Sequence, residues 1–252
     1  MELIEITPEN LDREHICCAI SEKKGETCVA SKKAWLRARM AEGLVFRRLD
    51  ERGKVFIEYL PAEAAWCPVE AENYLFIDCL WVSGRFKGRG WGAKLLESCI
   101  ADAREQGRAG VCAVTSAKKR PFLSDPGFFR RYGFQKADEV PPWFELYCLP
   151  LREDAAPPRF KACAKEGLPG DRGLTLYYCD QCPHTGKYAG LLAQWGQARG
   201  VSVRLVKLET GEAARSAPTA FPTYSLFRDG VLVTNEVLSE KAFQKLLDAF
   251  GG

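Results

Sequence analysis

No run of the chain stays apolar for long enough to cross a bilayer, and the opening Met-Glu-Leu-Ile-Glu-Ile has neither a basic start nor a signal-like apolar core. The expectation is a cytoplasmic protein with no membrane partner. Charge of one sign is scarce as well: 36 Lys and Arg are mixed among 33 Asp and Glu for a formal net charge of +3, which argues against nucleic acid as a partner. Repeats and low-complexity tracts are absent, and with 46% hydrophobic and 27% charged residues the 252-residue chain has the balance of a folded protein long enough for two domains. Eleven cysteines, an odd number spread widely, suit thiols in a reducing compartment. Cys79, Cys99 and Cys112, within apolar runs, read as small core residues.

What the sequence does have is a glycine-rich turn at Val82-Ser-Gly-Arg-Phe-Lys-Gly-Arg-Gly-Trp-Gly-Ala-Lys-Leu-Leu96, between an apolar strand and a helix start. Glycines there let backbone approach a ligand, and the following amides open a helix with a positive N-terminal end. Lys87 and Arg89 add full charges. A P-loop is excluded by the missing Gly-Lys-Ser/Thr ending. A dinucleotide fingerprint is excluded because the turn lies mid-domain rather than in an early βαβ unit.

Around this turn the pattern predicts an edge strand over 1–6, a helix from Pro8 toward Ile20, a helix from Ser31 closed by Gly43, strands over 44–49 and 55–60, and a long strand over 74–82. A helix over 92–106, a strand over 110–116, a short helix closed by Gly133 and strand pieces to Leu149 follow. Asp154-Ala-Ala-Pro-Pro and Pro169-Gly-Asp-Arg-Gly bracket a linker containing a short helical piece. Beyond it a βαβαββα order is expected, with Cys179-Asp-Gln-Cys182 at the first helix start. The domains are therefore read as 1–152, a linker at 153–172, and 173–252.

The run Lys87-Gly-Arg-Gly-Trp-Gly92 behind Val82 resembles motif A of the GNAT acetyltransferases, with Lys87 where Arg or Gln is usual. Phe128-Phe-Arg-Arg-Tyr-Gly-Phe134 resembles that family's Phe-Tyr-x-x-x-Gly-Phe. The tail, from Pro158-Arg-Phe-Lys-Ala-Cys through Thr234-Asn-Glu-Val, resembles the C-terminal domain of the YoaP-type acetyltransferases, as do His15-Ile-Cys-Cys-Ala-Ile-Ser21 and Val55-Phe-Ile-Glu-Tyr. The resemblance implies an α/β (α+β) GNAT fold and an acetyl-CoA-dependent N-acetyltransferase. By the family pattern, Lys87, Gly88, Arg89, Gly90, Trp91, Gly92 and Ala93 hold the cofactor's pyrophosphate. Leu80, Trp81 and Val82 lend backbone groups to its pantetheine and acetyl carbonyl, and the acceptor is a small amine. The tyrosine that serves as acid in the family falls on Phe129, which has no proton to give and is expected to pack against the pantetheine. Tyr132, one turn on, matches a position that is usually core.

Even-numbered positions of a strand share a face, which would put Asp78 beside Val82 as the base that leaves the amine neutral, with Glu58 on the neighbouring strand second. A structural hydrogen bond or the reading of a substrate cation is the alternative for Asp78. The C-terminal order resembles a thioredoxin-like fold, in which Phe221-Pro222-Thr223 resembles the cis-proline segment, so Pro222 is expected cis and beside Cys179. Cys179, just before a helix, would have a lowered pKa and act as nucleophile, with Cys182 resolving. His184 either tunes that pair or is a surface residue. A soft metal at the pair, a thiol-disulfide oxidoreductase on a coenzyme A-binding scaffold, and a docking lid stand as alternatives, and no metal ligands are assigned. Cys17 and Cys18, adjacent on the expected helix, point to different faces and suit a core better than one ion. Trp66, Trp81, Trp91 and Trp143 suit either an aromatic cleft or a core.

Overall fold

The computed structural model describes residues 2–16, 18, 20 and 26–251. Strand β1 (Leu3–Ile6), helix α1 (Cys28–Met40), β2 (Val45–Leu49), β3 (Val55–Pro61), the short β4 (Val69–Glu70) and β5 (Tyr74–Val82) come first. Helix α2 (Trp91–Glu105), β6 (Gly110–Ser116), α3 (Pro126–Arg131), β7 (Gln135–Val140) and β8 (Phe144–Pro150) complete a seven-stranded sheet in the order β1-β2-β3-β5-β6-β8-β7. Only β5 and β6 run parallel, joined by α2 as the crossover.

Among the described residues of 8–20 the expected helix does not form: residues 8–13 settle into turns, anchored to the end of β1 by Asn10, whose Oδ1 accepts from Thr7 N–H at 2.9 Å and whose Nδ2 donates to Glu5 O at 2.9 Å. Cys17, with its expected metal or core role, lies outside the described residues.

The two faces of this sheet are covered differently. On one, α2 presents Leu95, Leu96, Cys99 and Ile100 to Ile57, Tyr59, Ile77 and Val111, with Phe129 of α3 beside them. On the other lie Trp35 and Leu36 of α1 and a large part of the C-terminal unit.

The segment expected as a linker contains β9 (Arg159–Phe160) and α4 (Ala162–Glu166), and β9 pairs with β4. Phe160 N–H donates to Asp138 at 2.8 Å, and Arg159 reaches Glu70 at 2.6 Å, so the segment is fastened to the N-terminal sheet. Then follow β10 (Leu174–Tyr178), α5 (Thr185–Gln197), β11 (Val203–Lys207), α6 (Gly211–Arg215), β12 (Tyr224–Arg228), β13 (Val231–Thr234) and α7 (Glu240–Gly251). Their sheet has the order β11-β10-β12-β13, with β10 and β11 parallel and the rest antiparallel. It has its own core around Leu176, Leu192, Leu226 and Phe243. Its opposite side shares one buried cluster with the N-terminal sheet, where Cys179, Leu208, Ala214 and Ala220 meet Trp66, Phe144 and Leu146.

Candidate active site

After β5 the chain turns through Gly84, Gly88 and Gly90 at φ +60°, +72° and +78°, a region other residues rarely occupy. Nothing lies within 4 Å of where a Cβ would stand at any of the three. Gly90 caps α2 with no side-chain hydrogen bond, and the first turn has no acidic residue, so its amides stay open to an anion. Lys87 and Arg89 are exposed beside it and have no ion pair among the described residues. Gly92 serves packing instead: a Cβ there would sit 3.3 Å from Phe128. The Trp91 ring is buried under the sheet and Ala93 is half-buried.

A slot leads inward from this turn. β5 pairs with β6 only from Tyr74 opposite Gly110 to Ile77 opposite Ala113, whereas β6 continues along β8 to Ser116. Leu80, Trp81 and Val82 therefore have no strand partner on the β6 side. An open helix N-terminus, two free cations and parted strands suit a pyrophosphate followed by an extended, amide-bearing arm.

At the point of parting, β5 contains a bulge. Glu58 pairs with Cys79 and Tyr59 with Ile77, leaving Asp78 as the extra residue. Alternation breaks there: Tyr74, Phe76 and Cys79 face the α1 side, while Leu80 and Val82 face the α2 side. The expectation that Asp78 shares a face with Val82 is thus corrected, because a bulge reverses parity. Asp78 turns instead toward Lys32, Arg39 and Glu58, on the α1 side.

Lys32 of α1 is 1% exposed and its Nζ donates to Glu58 Oε2 at 2.7 Å, with Glu58 2% exposed. The Lys32 ammonium also sits 4.4 Å from the Trp35 ring centroid. Glu58 holds the Lys32 ammonium charged in spite of its burial, raising its pKa. Burial pushes Glu58 up while Lys32 pulls it back. Neither oxygen of Asp78 has a hydrogen-bond partner among the described residues. Burial, reinforced by the nearby Glu58 charge, pushes its carboxyl well above the ordinary range, so of the two acids beside one cation Asp78 has the greater affinity for a proton.

Asp78 and Glu58 line a cavity of about 400 Å³ between the sheet and the C-terminal unit. Trp81, Phe122 and Phe221 supply apolar walls, and Lys54, Cys18, Cys79, Cys182 and His184 also border it. Two further lining residues each have a buried polar atom without a hydrogen-bond partner among the described residues: Tyr224, its OH, and Asn235, its Nδ2.

Residues 11–134 match the acetyltransferase (GNAT) family, and residues 203–245 match the YoaP-like family. A Bacillus subtilis (strain 168) protein named "Uncharacterized N-acetyltransferase YoaP" is 45% identical over 245 residues, which is 97% of this chain and 98% of that one. The chain belongs to the GNAT acetyltransferases. Its class is that of acyltransferases that use acetyl-CoA. Among solved structures, a GNAT acetyltransferase from Staphylococcus aureus Mu50 is 16% identical with a TM-score of 0.42, covering 60% of this chain and 99% of its own. A Brucella melitensis GNAT acetyltransferase in complex with acetyl-CoA is 18% identical with a TM-score of 0.39, covering 64% and 96%.

Several site expectations need correction in this GNAT chain. Phe129 is fully buried among Phe134, at 5.0 Å, and Phe128, at 5.8 Å, so core packing claims the ring expected on the pantetheine. Phe128 is the one that reaches the glycine turn, with half-buried Tyr132 at 5.0 Å.

Cys179 does not stand at a helix start, because α5 begins only at Thr185, whose hydroxyl donates to Cys179 O at 2.5 Å and is 2.7 Å from Cys182 O. Burial pushes the Cys179 thiol up to about 12, the opposite of an activated nucleophile. The Cys182 thiol, pushed up to about 12 chiefly by burial, faces the cavity as a neutral group. Pro222 is not cis: among the described residues the cis bond lies at Pro141–Pro142. His184 is half-buried, with its Nε2 3.3 Å from Cys18 O, so it belongs to the junction between units rather than to the surface.

Cys99 and Cys112 are core residues as expected, but Cys79 borders the cavity. Trp66 and Trp91 are core, and Trp81 is 43% exposed at the cavity wall. Sequence reasoning missed Lys32, Tyr224 and Asn235. For Lys32 a signal existed: it lies three and four residues before Trp35 and Leu36, a lysine in the apolar stripe of its helix.

Proposed function

We propose that this chain transfers the acetyl group of acetyl-CoA to the amine of a small molecule held in the cavity between its two sheets. The GNAT domain, residues 1–152, does the chemistry, and residues 173–252 form a thioredoxin-like module that closes the acceptor side. The observation that carries the reading is Asp78, a buried carboxyl with no hydrogen-bond partner among the described residues, placed where β5 and β6 part and bordering the cavity.

The amides after Gly88 and Gly90, with Lys87 and Arg89, suit the pyrophosphate, and the unpaired edge of Leu80, Trp81 and Val82 suits the pantetheine. Bound there, acetyl-CoA supplies an activated acyl carbon and a thiolate leaving group whose conjugate thiol, like a cysteine at about 8.5, is only moderately weak as an acid. In its carboxylate form Asp78 takes the proton that the incoming ammonium must lose. Raised by burial, its carboxylate is a stronger base than an exposed one, so an ammonium–carboxylate pair converts to neutral amine and carboxylic acid at a smaller cost. Lys32 keeps Glu58 ionised and in place, which supports the high proton affinity of Asp78. With Phe129 in the core, protonation of the leaving thiolate falls to water.

Calorimetry of acetyl-CoA on the wild type and on a Lys87→Glu/Arg89→Glu double variant tests the first half of this reading. Two exposed charge reversals leave the fold alone and should weaken binding by about tenfold to a hundredfold, more so at low salt. Amine-dependent release of the coenzyme A thiol tests the second half. No binding by the wild type would sink the proposal.

A further inference from the structure

The cavity has polar groups on two walls, and the proposed transfer uses only one of them. On the sheet wall stand Glu58 and Asp78. On the wall made by the C-terminal unit stand Tyr224, 1% exposed, and Asn235, fully buried, each with an unpartnered polar atom. The Asn235 amide orientation is fixed by its neighbour: Trp143 Nε1 can only donate, and it does so to Asn235 Oδ1 at 3.0 Å. The free atom is therefore Nδ2, a donor. Burial pushes the Tyr224 phenol up, so its hydroxyl keeps its proton and is a second donor. Lys54 borders the same cavity with no ion pair among the described residues.

Buried donors without acceptors are costly, and two on residues lining one ligand-sized cavity suit a ligand that brings the missing acceptor. The C-terminal unit offers donors and the sheet offers carboxyls, with Lys54, directly before β3, a cation on the same lining. A ligand matching this arrangement turns an amine toward the sheet and an anionic group toward the C-terminal unit, with an apolar body against Trp81, Phe122 and Phe221. We infer that the acceptor is a small apolar aminocarboxylate, whose carboxylate is read by Tyr224 and Asn235 of the C-terminal unit while its amine lies at Asp78. This rests on the reading of the cavity as the acceptor site and gives the C-terminal unit a task in substrate choice.

The test is direct binding to the full chain saturated with coenzyme A, followed by ligand-observed nuclear magnetic resonance and calorimetry. The probes are pairs that differ only in the carboxylate: L-phenylalanine and 2-phenylethylamine, L-leucine and isoamylamine, L-methionine and 3-methylthiopropylamine, L-tryptophan and tryptamine. At least one amino acid should bind about tenfold or more tightly than its decarboxylated partner, the expected worth of a hydrogen bond to a charged group. Tyr224→Phe, which deletes one oxygen, should bring that amino acid down toward its amine. Asn235→Asp, which retains an acceptor for Trp143 and replaces the donor by a negative charge, should do so more strongly. Equal or stronger binding of the bare amines, binding by no amino acid, or a preference untouched by both variants would overturn the inference. Intact acetyl-CoA binding and turnover of a simple amine in those cases would leave the proposed transfer standing, so the two failures are distinguishable.

Discussion

The two faces of the seven-stranded sheet make opposite use of burial. On the α2 face, Leu95, Leu96, Ile100, Ile57 and Val111 close a largely apolar core, and the polar groups beside it are paired, with Tyr59 OH donating to Asp102 at 2.6 Å and Arg47 bridging to the same carboxylate at 2.9 Å. On the α1 face Lys32 and Glu58 are buried as deeply and the carboxyl oxygens of half-buried Asp78 are enclosed, with Tyr224 and Asn235 across the cavity. An apolar face needs only density of packing, so nearly any well-shaped hydrophobic set would serve. Charged and unpartnered groups gain nothing from burial alone, and their presence on one face separates scaffold from site.

The largest expected effect comes from removing the chemistry of the α1 face without its volume. Asp78→Asn keeps the shape and abolishes the base, and amine acetylation should fall by about 10²- to 10⁴-fold with acetyl-CoA binding retained. Turnover within about twofold of the wild type would make Asp78 a structural group and erase the contrast. The same variant should also change stability with pH. The carboxyl is raised in the folded protein, so its favourable contribution is present below the ordinary carboxylate value and is lost as pH rises through the raised one. Denaturation curves of Asp78→Asn should therefore lose less stability than the wild type between acid and alkaline pH.

Next in size is the buried pair. Lys32→Met leaves Glu58 in an apolar setting without its ammonium, which should cost about 3–5 kcal/mol in chemical denaturation. Lys32→Met with Glu58→Leu should recover most of that loss, because no charge is then left uncompensated. If the single and double variants lose equally, the pair matters through packing, and the two faces are more alike than their polar groups suggest.

How much of this contrast could be read beforehand depends on whether it is local. The strand over 74–82, the glycine turn and α2 follow from apolar runs and turn residues within a dozen positions, and they stand as expected to within a residue. The side on which Asp78 falls is set by a bulge between two strands, and one strand's alternation carries no sign of it. Cys179 failed for a related reason. Its neighbourhood in sequence resembles a helix start, yet Thr185 delays the helix and the sheet packed on top removes the water a thiolate needs. Tyr224 and Asn235 are ordinary residues in a strand and in the loop after β13, and only the assembled cavity shows that their donors have no partner.

The smallest expected effect probes the α2 face. Phe129→Tyr restores the residue found at the equivalent place in the family motif, and were this position open to the reacting thiol, the variant should turn over faster. Phe129 is instead fully buried against Phe134 and Phe128. A hydroxyl placed there meets hydrocarbon on the face where packing is closed, and an unpaired buried hydroxyl costs about 1–3 kcal/mol. The expected result is a lowered denaturation midpoint with no gain in turnover at any pH. A faster enzyme would show that Phe129 reaches the leaving group, and that the apolar face takes part in the chemistry after all.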